Sequence, residues 1–145
     1  GIGKRIKEID NEIKIYALEP EKMPILSNGK ILGQHKIEGI GDDFVPDIFK
    51  RNTRIIEKDI LLINDDDAIN MARKLAKELG LGVGISSGAN FIGAVLAQKN
   101  LEGEMVTVFA DDNKKYLSTD LGKNIDNNDQ FLSNNVKLLE YQKVI

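Results

Sequence analysis

Few residues in this chain have side chains suited to chemistry, and the best placed of them lie between Gly82 and Ala97. Ser86, Ser87 and Gly88 form a small polar corner between the apolar run Val83–Ile85 and a mostly apolar stretch beginning at Ala89. The pattern predicts a short strand at Val83–Ile85 that feeds a buried helix from Gly88. A helix start carries unpaired N–H groups and the positive end of the helix dipole, so it suits an acceptor atom or an anion. A serine hydroxyl there can also reach a ligand directly. The competing reading is that Ser86 or Ser87 only caps the helix, and spacing alone favours it. Gly82 and Gly84 suit backbone that something else approaches closely.

The other candidates are thinner. Asp65, Asp66 and Asp67 are consecutive, so they fan around a helix start and read as a capping cluster, not as ligands converging on a metal. The chain has one histidine and no cysteine. That removes disulfides, thiolate metal sites and a cysteine nucleophile, and leaves the usual triads and zinc centres hard to assemble. An organic cofactor is the better expectation. His35 reads as structural or surface, with a pH-sensitive role as the lesser alternative. Lys4, Arg5 and Lys7 read as a solvated helix face. The long segment from Pro24 to Pro46 has little periodicity, and loops of that length are usually functional or disordered. Its glycines, Gly39 and Gly41 among them, either admit a ligand to the backbone or serve as turns.

The elements that must position these residues follow from periodicity. Gly1 to Ile9 reads as a helix entered without a cap, as if cut from something longer. Ile13–Leu18 reads as a strand closed by Glu19-Pro20, and Ile60–Ile63 as a buried strand. Asn64 and the aspartates cap a helix whose apolar face is Ala68, Ile69, Ala72, Leu75, Ala76 and Leu79, ended by Gly80. Met105–Ala110 reads as a parallel strand covered on both faces. Strands alternating with helices predict an α/β layer with a parallel sheet flanked by helices, with ligands beyond the carboxyl ends of the strands. Residues 1–120 form this unit, and residues 121–145 read as a peripheral, asparagine-rich polar tail in which Val136–Ile145 forms a last helix or strand. The 145 residues carry a net charge of −3, which argues against a general nucleic-acid binder. No apolar run reaches membrane-spanning length and no signal-peptide core opens the chain, so a cytoplasmic setting is expected.

Taken together, His35-Lys36-Ile37-Glu38-Gly39-Ile40-Gly41, Phe44-Val45-Pro46, Asp66-Asp67-Ala68-Ile69, Gly84-Ile85-Ser86-Ser87-Gly88-Ala89 and Tyr116-Leu117-Ser118-Thr119 stand in order and spacing that resemble cysteine synthase. That family, also called O-acetylserine sulfhydrylase, is pyridoxal 5'-phosphate dependent and of fold type II. The resemblance runs from Gly1 to about Thr119 and implies the carboxyl-terminal part of the large domain. It implies that Ser86 hydrogen-bonds the cofactor's pyridine nitrogen, that Ser87 is structural, and that Gly39, Ile40 and Gly41 line the active site. A neutral serine leaves that nitrogen unprotonated, where a carboxylate would hold it protonated. The weaker electron sink suits an elimination in which acetate departs as the α-proton is lost and sulfide then adds.

The chain also departs from the family. The lysine that anchors the cofactor belongs to a Ser-Val-Lys type motif that has no counterpart here, so no catalytic residue is assigned. The glycine-rich phosphate loop is likewise missing. Glu38 stands where the family has glutamine, and Asp111-Asp112-Asn113-Lys114 where it has a turn richer in glycine. The expected function is the carboxyl-terminal part of an enzyme making L-cysteine from O-acetyl-L-serine and sulfide, inactive by itself. The alternatives are cystathionine β-synthase or cysteine desulfhydrase activity, or a truncated non-catalytic binding module. The resemblance implies a homodimer in the complete enzyme. Serine acetyltransferase is a possible partner, although a terminal Ile145 alone does not support it.

Overall fold

The structure, a computed structural model, describes residues 1–99, 101–123 and 128–142. Asn124 and Asn127 of the asparagine-rich tail, and the terminal Ile145, lie outside them. The chain runs through helix α1 (Ile2–Ile9), strand β1 (Leu18–Pro20) and two single-turn helices, α2 (Ile25–Asn28) and α3 (Asp47–Lys50). Strand β2 (Leu61–Ile63), long helices α4 (Asp65–Leu79) and α5 (Ile85–Gln98), and a last turn of helix α6 (Leu132–Asn135) follow.

β1 and β2 pair in parallel, Leu18 opposite Leu61 and Pro20 opposite Ile63. Upstream the ladder is irregular. The Ile15 carbonyl accepts the Glu57 N–H at 2.8 Å and the Ala17 carbonyl accepts the Leu61 N–H at 2.9 Å. Of the strand expected over Ile13–Leu18, only Leu18 therefore joins a regular strand. Glu19, fully buried in β1, turns its carboxylate onto the N–H groups of Leu26 (2.7 Å) and Ser27 (3.0 Å), anchoring the segment that leaves the strand.

The core lies between the short sheet and the α4–α5 pair. α4 begins as its sequence dictates. The Asn64 side chain accepts the N–H groups of Asp66 and Asp67 at 3.0 and 3.1 Å, and Gly80 ends the helix in the left-handed region at φ 70°. Ala68, Ile69, Met71, Ala72 and Leu75 are buried. α5 packs closely against this face because Gly88 has no side chain: a Cβ there would stand 2.1 Å from the Ala68 carbonyl oxygen. Gly93 likewise lets Leu18 approach, its added Cβ falling 2.8 Å from Leu18 Cδ2.

Three further sequence expectations are corrected. Val83–Ile85 is not a strand: Val83 makes an isolated antiparallel bridge to Asp112, and α5 already begins at Ile85 with Gly84 as its N-cap. The helix thus starts three residues before Gly88, because glycine is itself an acceptable N-cap and the serines can be helical. Met105–Ala110 forms no strand, and Val106 is 92% exposed. No strand among the described residues offers it a ladder partner, and an apolar run without one stays irregular. Val136–Gln142, the described part of the expected last element, is neither helix nor strand; the helical turn falls earlier, at Leu132–Asn135.

Candidate active site

Ser86 sits in the first turn of α5, and no side chain caps that turn. Ser86 and Ser87 follow the N-cap, so neither caps the helix, and the reading that spacing alone favoured falls away. The two serines differ in surroundings. Ser87 is fully buried with an Oγ that meets no partner among the described residues, whereas Ser86 keeps 8% exposure. The first turn of α5 rests on the first turn of α4 through Gly88, and α4 follows directly from the carboxyl end of β2. Ser86 is therefore at the end of the sheet that parallel α/β folds use for ligands.

What approaches Gly82 and Gly84 is the turn that follows residue 110. A Cβ on Gly84 would stand 2.1 Å from Asp111 Oδ1 and 2.8 Å from the Tyr116 ring, and one on Gly82 would stand 2.9 Å from Asn113 Oδ1. The Tyr116 hydroxyl donates to Asp111 Oδ2 at 2.6 Å, while Asp111 Oδ1 is buried without a partner among the described residues. The Asp111 carboxylate, and after it burial, pushes the Tyr116 phenol above its ordinary value of 10.0. Nothing in the spacing of Asp111 and Tyr116 marked this pair; only the glycines facing it hinted at a close neighbour.

The loop holding Gly39, Ile40 and Gly41 reaches the same end of the sheet from the β1 side. Gly41 takes φ +74°, and a Cβ there would stand 2.7 Å from the ring of Pro20, the last residue of β1. Gly39 takes φ +91° in open space. Ile40 packs against the edge of the core, and Ile37 is wholly buried. His35, read from sequence as structural or surface, closes the loop on itself: its Nε2 stands 2.8 Å from the Gly41 carbonyl oxygen. No hydrogen bond joins Ser86 to this loop among the described residues. A cavity of about 340 Å³ lined by Ala72, Ala76, Val83, Leu117 and Leu121 includes neither.

The three aspartates diverge as the fan of a helix start requires. Asp65 pairs with Lys22 at 2.9 Å, Asp66 with Lys36 at 2.9 Å, and Asp67 accepts backbone N–H groups of the tail. Lys36 also reaches Asp120 at 3.0 Å and so ties the loop base to both α4 and the turn after Thr119.

These features place a polar helix start beyond the strand ends of a parallel α/β layer. The family of pyridoxal-phosphate dependent enzymes matches residues 1–111, and the chain belongs to that family. It is similar to cysteine synthase B of Campylobacter jejuni, 43% identical over 122 residues, which are 83% of this chain and 39% of the relative. Among solved structures, a hydrogen sulfide-producing enzyme from Fusobacterium nucleatum superposes with a TM-score of 0.85 at 50% identity, covering 100% of this chain and 43% of that one. A cysteine synthase from Entamoeba histolytica superposes with a TM-score of 0.78 at 35% identity, covering 91% of this chain and 39% of that one. The chain thus spans about two-fifths of the length of these relatives.

Pyridoxal phosphate is the cofactor of this family. The Ser86 hydroxyl has no hydrogen-bond partner among the described residues, so this donor is available to a bound group with an acceptor atom. No helix is long and apolar enough to cross a membrane, among the described residues.

Proposed function

We propose that this chain supplies the pyridine-contacting and substrate-loop part of an enzyme that forms L-cysteine from O-acetyl-L-serine and sulfide. The observation that supports it is Ser86: a hydroxyl without a hydrogen-bond partner among the described residues, in the first turn of α5, where it keeps 8% exposure. When bound, pyridoxal phosphate supplies the electron sink for the pair left by the departing α-proton. Ser86 meets the pyridine nitrogen as a neutral group and so keeps that sink moderate, which suits loss of a good leaving group in the same elimination. Gly39, Ile40 and Gly41 present backbone to the substrate, with Gly39 exposed and free of side-chain obstruction. No lysine of this chain is assigned as the cofactor's anchor.

The test is made on the complete protein that carries this sequence. With O-acetylserine and sulfide it should form cysteine. Ser86→Ala should weaken the cofactor's absorbance band, and Ser86→Asp should shift it and slow turnover. No cysteine from the wild type, or an unmoved spectrum in Ser86→Asp, would remove the reading.

A second reading is release of hydrogen sulfide from cysteine. Its support is the Fusobacterium nucleatum enzyme, which superposes on all of this chain at 50% identity, whereas the Entamoeba histolytica cysteine synthase superposes on 91% of it at 35% identity. Ser86 serves either reaction, because both pass through the same elimination. Faster sulfide release from cysteine than cysteine formation from O-acetylserine would put this second reading first.

A further inference from the structure

The loop from His35 to Gly41 is held from three directions. At its base the Lys36 ammonium bridges Asp66 on α4 (2.9 Å) and Asp120 (3.0 Å). In its middle the Ile37 side chain is wholly buried in the core. At its far end His35 Nε2 meets the Gly41 carbonyl at 2.8 Å, while His35 Nδ1 is buried with no partner among the described residues. A carbonyl only accepts, so Nε2 carries the proton and the ring is a donor with one purpose. Gly41 is fixed from the other side as well, because its positive φ and the Pro20 ring leave no room for a side chain. Between these anchors Glu38 and Gly39 stay exposed and Ile40 half-buried, so the loop presents a stretch of fixed backbone.

We propose that His35 is a positioning residue for the reaction: its Nε2–H clasps the Gly41 carbonyl and holds Gly39–Ile40–Gly41 in the shape that receives the amino-acid substrate. This rests on the reading that the loop lines the substrate site. A preformed loop binds substrate without first being ordered, and it holds ground state and transition state alike. Losing the clasp therefore weakens binding more than it slows the chemistry. His35 acts through Gly41 and moves no proton of the substrate.

The experiment compares His35→Leu with His35→Gln in the complete protein, since the glutamine amide places a donor near the position of Nε2. His35→Leu is expected to raise KM for the amino-acid substrate by about tenfold, with kcat within about twofold of wild type, and to leave the cofactor's absorbance unchanged. His35→Gln should recover most of that loss. Hydrogen exchange, read on the same proteins, should show faster exchange over Gly39–Asp43 in His35→Leu alone, with α4 and α5 unchanged. Unaltered exchange would show that no clasp exists. Faster exchange with an unaltered KM would show a clasp without a positioning role, and equal defects in the two variants would point to packing of the ring. A wild type that turns over none of the proposed substrates would sink the functional reading and the positioning role together, while the exchange data would still report whether the clasp forms.

Discussion

Asp67 holds Ser133: its Oδ1 accepts the Ser133 N–H at 2.9 Å, and its Oδ2 accepts the neighbouring Leu132 N–H at 2.8 Å. A carboxylate in the first turn of α4 thus caps the first turn of α6, 66 residues further on. The same face of α4 continues the attachment. Asn70 Nδ2 donates to Ser133 Oγ at 2.9 Å, and the Lys74 ammonium donates to the carbonyls of Ser133 and Val136. Positions 67, 70 and 74 fall on one stripe of the helix, so the tail from Leu132 to Val136 lies along it.

Replacing Asp67 by alanine should leave two N–H groups of α6 without their acceptor. A lost charge-assisted bond of this kind costs about 1–3 kcal/mol when its partner stays buried. The expected outcome is a lower melting temperature and rapid amide exchange at Leu132 and Ser133. Asn64→Ala, which removes the cap on α4 itself, should instead speed exchange at Asp66 and Asp67. If Asp67→Ala leaves the Leu132 and Ser133 amides as protected as before, the carboxylate is not what fixes the tail.

How far the sequence could be read depended on whether an element needs a partner that the pattern does not name. α4 was legible end to end, because Asn64, the acidic first turn, the apolar stripe and Gly80 are local signals that act within the helix. Its polar face was not. Asp67 reads as part of the capping cluster, nothing in the pattern marks Asn70 or Lys74, and only the folded chain shows a tail laid across all three. Met105–Ala110 failed for the same reason in reverse: its composition suits a strand, but a strand exists only where another backbone supplies the ladder. At the Ser86 corner the residue types were legible and the boundary was not, since glycine and serine serve equally before or inside a first turn. The Tyr116–Asp111 and His35–Gly41 contacts lay beyond any pattern, because each joins a side chain to a partner chosen by loop geometry.

Gly88→Ala tests the α4–α5 contact. The added methyl carbon would stand 2.1 Å from the Ala68 carbonyl oxygen and 2.9 Å from the Ala72 nitrogen, both of them backbone atoms that no rotamer change can move. The helices must separate, and overpacking of a core costs typically about 1–3 kcal/mol and at times more. Alanine's better helix propensity recovers at most about 1 kcal/mol of that. The variant is therefore expected to melt lower, with Gln98→Ala on the exposed end of α5 as the neutral comparison. Melting at the wild-type temperature would mean that α5 does not pack on α4 this closely.

Lys36 gives the fold a stability with two pH edges. Its hydrogen bonds to the carboxylates of Asp66 and then Asp120 hold the ammonium above the ordinary value of 10.5, and Lys36, followed by Lys123, holds the Asp120 carboxyl below its ordinary 3.8. For Asp120 the folded value is the lower one, so its contribution is complete above 3.8 and disappears as pH falls through the folded value. For Lys36 the folded value is the higher one, so its contribution is complete below 10.5 and disappears as pH rises through the folded value. The stability gap between wild type and Lys36→Met should then be flat from about pH 5 to 9 and close toward both extremes. All three side chains are partly exposed, so added salt should narrow the gap throughout. Melting curves across that range decide it. A gap that persists unchanged at about pH 3 would mean that the lysine stem packs the loop base while the charge contributes nothing.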